Sequence, residues 1–99
     1  MPTLLAKREV FEWLKQGKKT IDVRKGKPQH GDTLLFISGP YRLTMKIVGT
    51  QSGALSELVR QDNFQQVIPS AVTLEDALAY LRGIYGCCDG CFTAYTVVP

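Results

Sequence analysis

Residues Asp32 to Val48 leave this chain few folds to choose from. Leu34-Leu35-Phe36-Ile37 is a continuous apolar run, the pattern of a strand covered on both faces. Gly39-Pro40 punctuates it as a turn. Tyr41 to Val48 then alternates, with Leu43, Met45 and Ile47 turned inward and Arg42, Thr44 and Lys46 outward. Two such segments on either side of so short a turn predict an antiparallel hairpin.

The remaining segments supply its surroundings. Thr3 to Ala6 is a short apolar run that reads as a first strand. Lys7 to Gln16 carries Val10, Phe11, Trp13 and Leu14 at helical spacing, opposite Arg8, Glu9, Glu12 and Lys15. Trp13 is expected to pack against the sheet. Gly17 suits the left-handed position just past a helix, and Lys15 suits its negative end. Thr20 to Lys25 reads as the next strand and Gly26 to Gly31 as a loop that would leave His30 exposed. Gly49 to Gly53 breaks the hairpin's alternation.

Ala54 to Gln61 reads as a short helix with Leu55, Leu58 and Val59 on one face. Asn63 to Pro69 is open between a helical turn and an extended linker. Thr73, followed by Asp76, forms the opening of a capped helix whose stripe runs Leu74, Ala77, Leu78, Leu81, Ile84, Tyr85. Glu57, Glu75 and Asp76 fall in first helical turns, where an acid complements the helix dipole. Phe92 to Val98 is aromatic and β-branched, a final strand. Without regular strand–helix–strand alternation, this order predicts one α+β domain over residues 1–99, its helices packed round a compact sheet or small barrel.

The bulk numbers exclude more than they assign. A net charge of +3 is far below the excess that marks indiscriminate nucleic-acid binding. No apolar run reaches the ~18 residues that span a bilayer, and residues 1–6 do not read as a signal peptide, so a cytoplasmic protein without membrane partners is expected. There is no Walker loop and no dinucleotide glycine fingerprint, and no cofactor is implied. A single histidine assembles no Ser-His-Asp set. Cys88 and Cys91 have the spacing of a zinc half-site or a redox pair, with Cys87 beside them. A closed zinc site would need Cys87 and His30 as well, so no metal is assigned and reduced thiols are the expected state.

Charge is concentrated rather than abundant. Lys15, Lys18, Lys19, Arg24, Lys25 and Lys27 fall between residues 15 and 27, opposed there only by Asp22. Alternation along the strand puts Ile21 and Val23 on one face and Thr20, Asp22 and Arg24 on the other. A hydroxyl, a carboxylate and a guanidinium thus line up beside Lys18 and Lys19. Arg24 suits two-pronged recognition of phosphate or carboxylate. Lys19 becomes a nucleophile or base if burial or nearby positive charge lowers its pKa; Lys18 and Arg24 would act in that direction and Asp22 against it. The same strip also reads as a plain Asp22–Arg24 ion pair on a sheet.

An amphipathic helix ending in Gly17-x-Lys19-Thr20, then Ile21-Asp22-Val23-Arg24, resembles the signature of ASCH domains, members of the PUA-like group. Gly31-Asp32 before an apolar strand, and a late helix before a closing strand, resemble the family's further landmarks, so the likeness spans nearly the whole chain. It implies a small PUA-like β-barrel flanked by helices, and a cleft beside the Gly17–Thr20 turn that binds RNA, a nucleotide or a nucleoside. By that likeness Lys18, Lys19, Thr20, Asp22 and Arg24 would line the cleft. Some small members remove the acetyl group from acetylated cytidine, with a site combining the motif lysine, a threonine two positions after the motif threonine, and a glutamate before the late helix. Lys19 matches the first, Asp22 stands at the second, and the third falls near Ser70, with Glu75 a few residues on. If the chain is a hydrolase of a modified nucleoside or of RNA, Lys19 and Asp22 are its candidate catalytic pair. A protein-interaction module, using the helix faces instead, is the third expectation.

Overall fold

The computed structural model describes residues 2–29, 31–86 and 90–99, so the expectations for His30, Cys87 and Cys88 lie outside the described residues. In chain order the elements are β1 (Thr3–Leu5), α1 (Arg8–Lys15), β2 (Ile21–Lys25), β3 (Thr33–Ser38), β4 (Tyr41–Gly53), α2 (Leu55–Leu58), α3 (Phe64–Val67), α4 (Leu74–Tyr85) and β5 (Phe92–Val98). The strands make one sheet in the order β1-β3-β4-β5-β2. The expected hairpin stands at its centre: β3 and β4 run antiparallel, with Ser38 opposite Tyr41 across a turn in which Gly39 takes φ 58°. β1 adds parallel to β3, and β5 and β2 add antiparallel beyond β4.

One expectation is corrected. Gly49 to Gly53 does not end the strand; β4 runs on to Gly53, paired with β5 down to Gly53–Phe92. The register slips between Ile47 and Gly49. A bulge of this kind bends and twists a strand. It lets one long strand pair with β3 in its first half and with β5 in its second, which curls the sheet into a half-barrel. The polar stretch carried no alternation because its pairing, not its side chains, keeps it extended.

The apolar side chains separate into two clusters. Leu4, Phe11, Leu14, Leu34, Phe36, Met45, Tyr95 and Val97 pack between the sheet and α1. Val23, Leu55, Leu58, Phe64, Val67, Ala77, Leu81 and Phe92 pack beneath the other helices. β5 serves both. Leu34 and Phe36 are fully buried, whereas Leu35 and Ile37 are half-buried, so the apolar run of β3 is fully covered on one face only. Trp13 packs as expected, half-buried against both clusters and tilted on Tyr80 at 6.0 Å. The open choice at Asn63 to Pro69 resolves as the single turn of α3. Among the described residues, no helix is long and apolar enough to cross a membrane.

α4 starts as its sequence predicts. Asp76 N–H donates to Thr73 Oγ1 at 3.2 Å, and Thr73 N–H returns a bond to Asp76 Oδ2 at 3.2 Å. Thr73→Ala is therefore expected to lower the unfolding free energy by about 1 kcal/mol. Phe36→Ala, which opens a cavity in a packed core, should cost about 3–5 kcal/mol. Urea titrations of the two variants beside the wild type measure both.

Candidate functional site

The site begins with the way α1 stops. Gly17 takes φ 78°, and the amides of Lys18 and Lys19 both donate back to the Trp13 carbonyl, at 3.0 and 3.1 Å. This reversal turns the chain under its own helix. Thr20 then fixes the entry to β2: its amide donates to the Gln66 carbonyl at 3.1 Å, and its carbonyl accepts from Val97 N–H at 2.9 Å. Lys19, expected on a basic turn, is instead buried, with 3% of its surface exposed. Lys18 stays on the surface.

Two side chains satisfy the side of β2 that no strand covers, and a third bridges from β2 to the other edge of the sheet. Lys19 Nζ donates to the Ile21 carbonyl at 2.8 Å and also to the Val67 carbonyl at the end of α3. The Tyr85 hydroxyl donates to the Val23 carbonyl at 2.7 Å. Arg24 Nη1 reaches across to the opposite edge of the sheet and donates to the Leu5 carbonyl at 2.8 Å. The half-barrel's two edge strands are joined there through a side chain.

Asp22 sits between the two cations. Arg24 Nε donates to Asp22 Oδ2 at 2.6 Å and Nη2 to Oδ1 at 3.4 Å. Lys19 Nζ lies 4.0 Å from Asp22 Oδ1. The side chains of Lys19 and Asp22 are 3% and 5% exposed and that of Arg24 24%. The Arg24 guanidinium also stands 6.0 Å from the centre of the Phe36 ring. The ion pair expected on this strip is present, and a second cation shares its carboxylate.

These three residues form the polar floor of a half-open cavity of about 80 Å³ at the seam between β1 and β2. Leu5, Ile68 and Val10 supply apolar wall, and α4 closes the far side with Tyr80, Leu81, Ile84 and Tyr85. The Tyr80 hydroxyl donates to Glu9 Oε1 at 2.6 Å, tying α4 to α1. Of the residues expected to line a cleft, Lys19, Asp22 and Arg24 come together here; Lys18 and Thr20 do not line the cavity. Ser70 and Glu75 are exposed and also lie outside its wall. Cys91 is an exposed free thiol. Among the described residues, no group of three or more His, Cys, Asp and Glu is placed to hold a metal ion.

Tyr80 and Tyr85 were not foreseen as part of this cavity. Tyr85 carried a signal only as the last residue of the apolar stripe in α4. Tyr80, one position short of that stripe, carried none.

Burial lowers the Lys19 pKa to about 8; Asp22 opposes the shift and Arg24 adds to it. The shift expected from Lys18 and Arg24 thus comes chiefly from desolvation. Burial works against the Arg24 charge too, but the Asp22 carboxylate, through its charge and its hydrogen bond, holds the Arg24 pKa above the usual value. Burial pushes the Tyr85 phenol up to about 12, and the Tyr80 phenol upward as well.

These shifts set a stability profile. Between pH 8 and pH 10 the unfolded chain keeps the Lys19 proton while the folded chain releases it, so stability rises with pH. The rise should be about 2 kcal/mol over that range, at ~1.4 kcal/mol per pKa unit. Above pH 10 the tyrosines reverse the trend, because unfolded phenols ionise first. Chemical denaturation at pH 8, 9 and 10 measures the slope. Lys19→Met, which cannot titrate, should flatten it.

The fold has solved counterparts. The chain resembles the crystal structure of hypothetical protein PH0355, with a TM-score of 0.78 and 19% identity over 98% of this chain and 96% of that one. It also resembles the solution NMR structure of protein PF0455 from Pyrococcus furiosus, with a TM-score of 0.69 and 16% identity over 99% and 96% of the two chains. No protein-family model and no curated protein matches the sequence. At these identities the likeness carries the fold: a mixed α+β chain on a curled half-barrel, compatible with the PUA-like architecture.

Proposed function

We propose that this chain is a PUA-like module of the ASCH kind that binds a nucleotide or RNA at the seam cavity. One observation carries the proposal: Lys19, Asp22 and Arg24 converge, largely buried, on the floor of a mainly apolar cavity beside the Gly17–Thr20 turn. Buried charge costs several kcal/mol per ion unless it is paired. A cluster with two cations to one carboxylate, opening to solvent, favours an electron-rich ligand. Convergent polar groups in an apolar recess are the usual form of a small-molecule site. The exposed lysines Lys18 and Lys27 lie nearby in sequence and suit the phosphates of a strand outside the cavity.

The test is direct binding of nucleosides, nucleotides and short single-stranded RNA, with thermal shift as the first readout. RNA affinity should fall with salt, roughly sevenfold from 50 to 200 mM for two phosphate contacts. Arg24→Lys keeps the charge and loses the fork, and should weaken binding tenfold or more. Circular dichroism establishes that the variant is folded. A wild type that ignores every member of the panel at low salt ends the proposal.

A hydrolase acting on a modified nucleoside or on RNA is the second reading, favoured by the lowered Lys19 pKa. At pH 7 roughly one lysine in ten would be neutral, against fewer than one in a thousand for an ordinary lysine. Lys19 suits the role of base better than that of nucleophile, since a covalent bond at Nζ would displace an N–H now held by a backbone carbonyl. Turnover of acetylated cytidine should then follow an apparent pKa near 8. A rate unchanged in Lys19→Met would exclude this role.

A further inference from the structure

The cavity's shape and its hydrogen-bonding groups specify which part of a ligand enters. Its volume of about 80 Å³ is well below the ~150 Å³ of a cavity that encloses a benzene ring, so only the edge of a ring fits within. The face of the ring must rest in the mouth. Two exposed aliphatic side chains belong to both the cavity lining and the surface: Leu5 from β1, 76% exposed, and Ile84 from α4, 41% exposed. They offer apolar surface for a flat ring.

The polar floor is one-sided. A guanidinium carries five N–H groups. For Arg24, Nε–H and one Nη2–H go to Asp22, and one Nη1–H goes to the Leu5 carbonyl. One N–H on each terminal nitrogen is left, and among the described residues neither has a protein partner. Both oxygens of Asp22 already accept from Arg24. Lys19 is itself donor-only while charged. The charged floor therefore offers the two remaining Arg24 N–H groups as donors, while the Asp22 oxygens, each engaged once by Arg24, belong to a side chain only 5% exposed.

We infer that the mouth reads a purine edge with two adjacent acceptors, and so selects guanine over adenine. Guanine presents O6 beside N7, the pair that arginine recognises with two N–H groups. Adenine places its N6 amine next to N7, opposite the Arg24 donors. This inference rests on nucleotide binding at the cavity, and the experiment separates the two.

Calorimetry compares guanosine, inosine, adenosine and 7-deazaguanosine on the intact chain. Inosine keeps O6 and N7 and should match guanosine within about threefold. Adenosine should bind at least tenfold more weakly, within the range one two-pronged base contact commands. Loss of N7 in 7-deazaguanosine should cost a similar factor. Arg24→Gln should turn the preference toward adenosine, since a carboxamide donates to N7 and accepts from N6. Leu5→Ser, on the surface, should weaken every ring and leave the ratios unchanged. If Arg24→Gln does not fold, the four nucleosides on the wild type still decide.

Short RNAs with guanine or adenine at one position distinguish a free nucleoside from a strand as the source of the ring. The same preference is expected in both. Equal affinity for guanosine and adenosine, or selectivity seen only within a strand, overturns guanine reading and leaves nucleotide binding standing. Failure of every nucleoside and RNA to bind overturns both.

Discussion

The contact on which this fold depends is made by Arg24. A half-barrel has two bare edges, and unpaired strand edges invite foreign strands. Here Arg24 on one edge holds the Leu5 carbonyl on the other. Lys19 and Tyr85 occupy the carbonyls of Ile21 and Val23, as a neighbouring strand would. Lys19 does this twice over, since it also binds the Val67 carbonyl and so fixes α3 against β2. The seam is closed by three side chains instead of a ladder of backbone bonds.

That solution has an electrostatic condition. Two cations withdrawn from water need a counter-charge, and Asp22 is that charge for both. Removing Asp22 would leave both cations without their shared counter-charge, which is costlier than never burying them. The geometry also explains why the cavity is where it is. A backbone ladder would zip the edges shut, whereas side chains of this length hold them apart and leave a recess between. The groups that close the barrel are the groups that line its opening.

Much of this was legible in the sequence. Gly17, Thr73 with Asp76, and the alternation of Leu43, Met45 and Ile47 are local signals, and local geometry obeys them. Alternation likewise put Asp22 and Arg24 on one face, which the ion pair bears out. Lys19 was harder. A lysine after a helix stop, among other lysines, reads as solvated; its burial is created by Val67, 48 residues away, and by the neighbouring Asp22. Asn63 to Pro69 was undecided for the same reason, because α3 is one turn, held by Thr20 and Lys19 rather than by its own periodicity. The second half of β4 has no apolar pattern to read, since its partner β5 supplies the buried residues.

The position of β5 has a consequence for how the chain comes to be folded. Its Phe92 and Ala94 complete one apolar cluster and its Tyr95 and Val97 the other, and it is the only partner of β2 among the described strands. Pairings such as Ile21 with Thr96 join residues from opposite ends of the sequence. Contacts of such long separation form slowly, because a large loop must close before they repay it. During synthesis, neither cluster nor the seam can settle until β5 has left the ribosome. Until then β2 and the second half of β4 have unpaired edges, open to pairing with other strands.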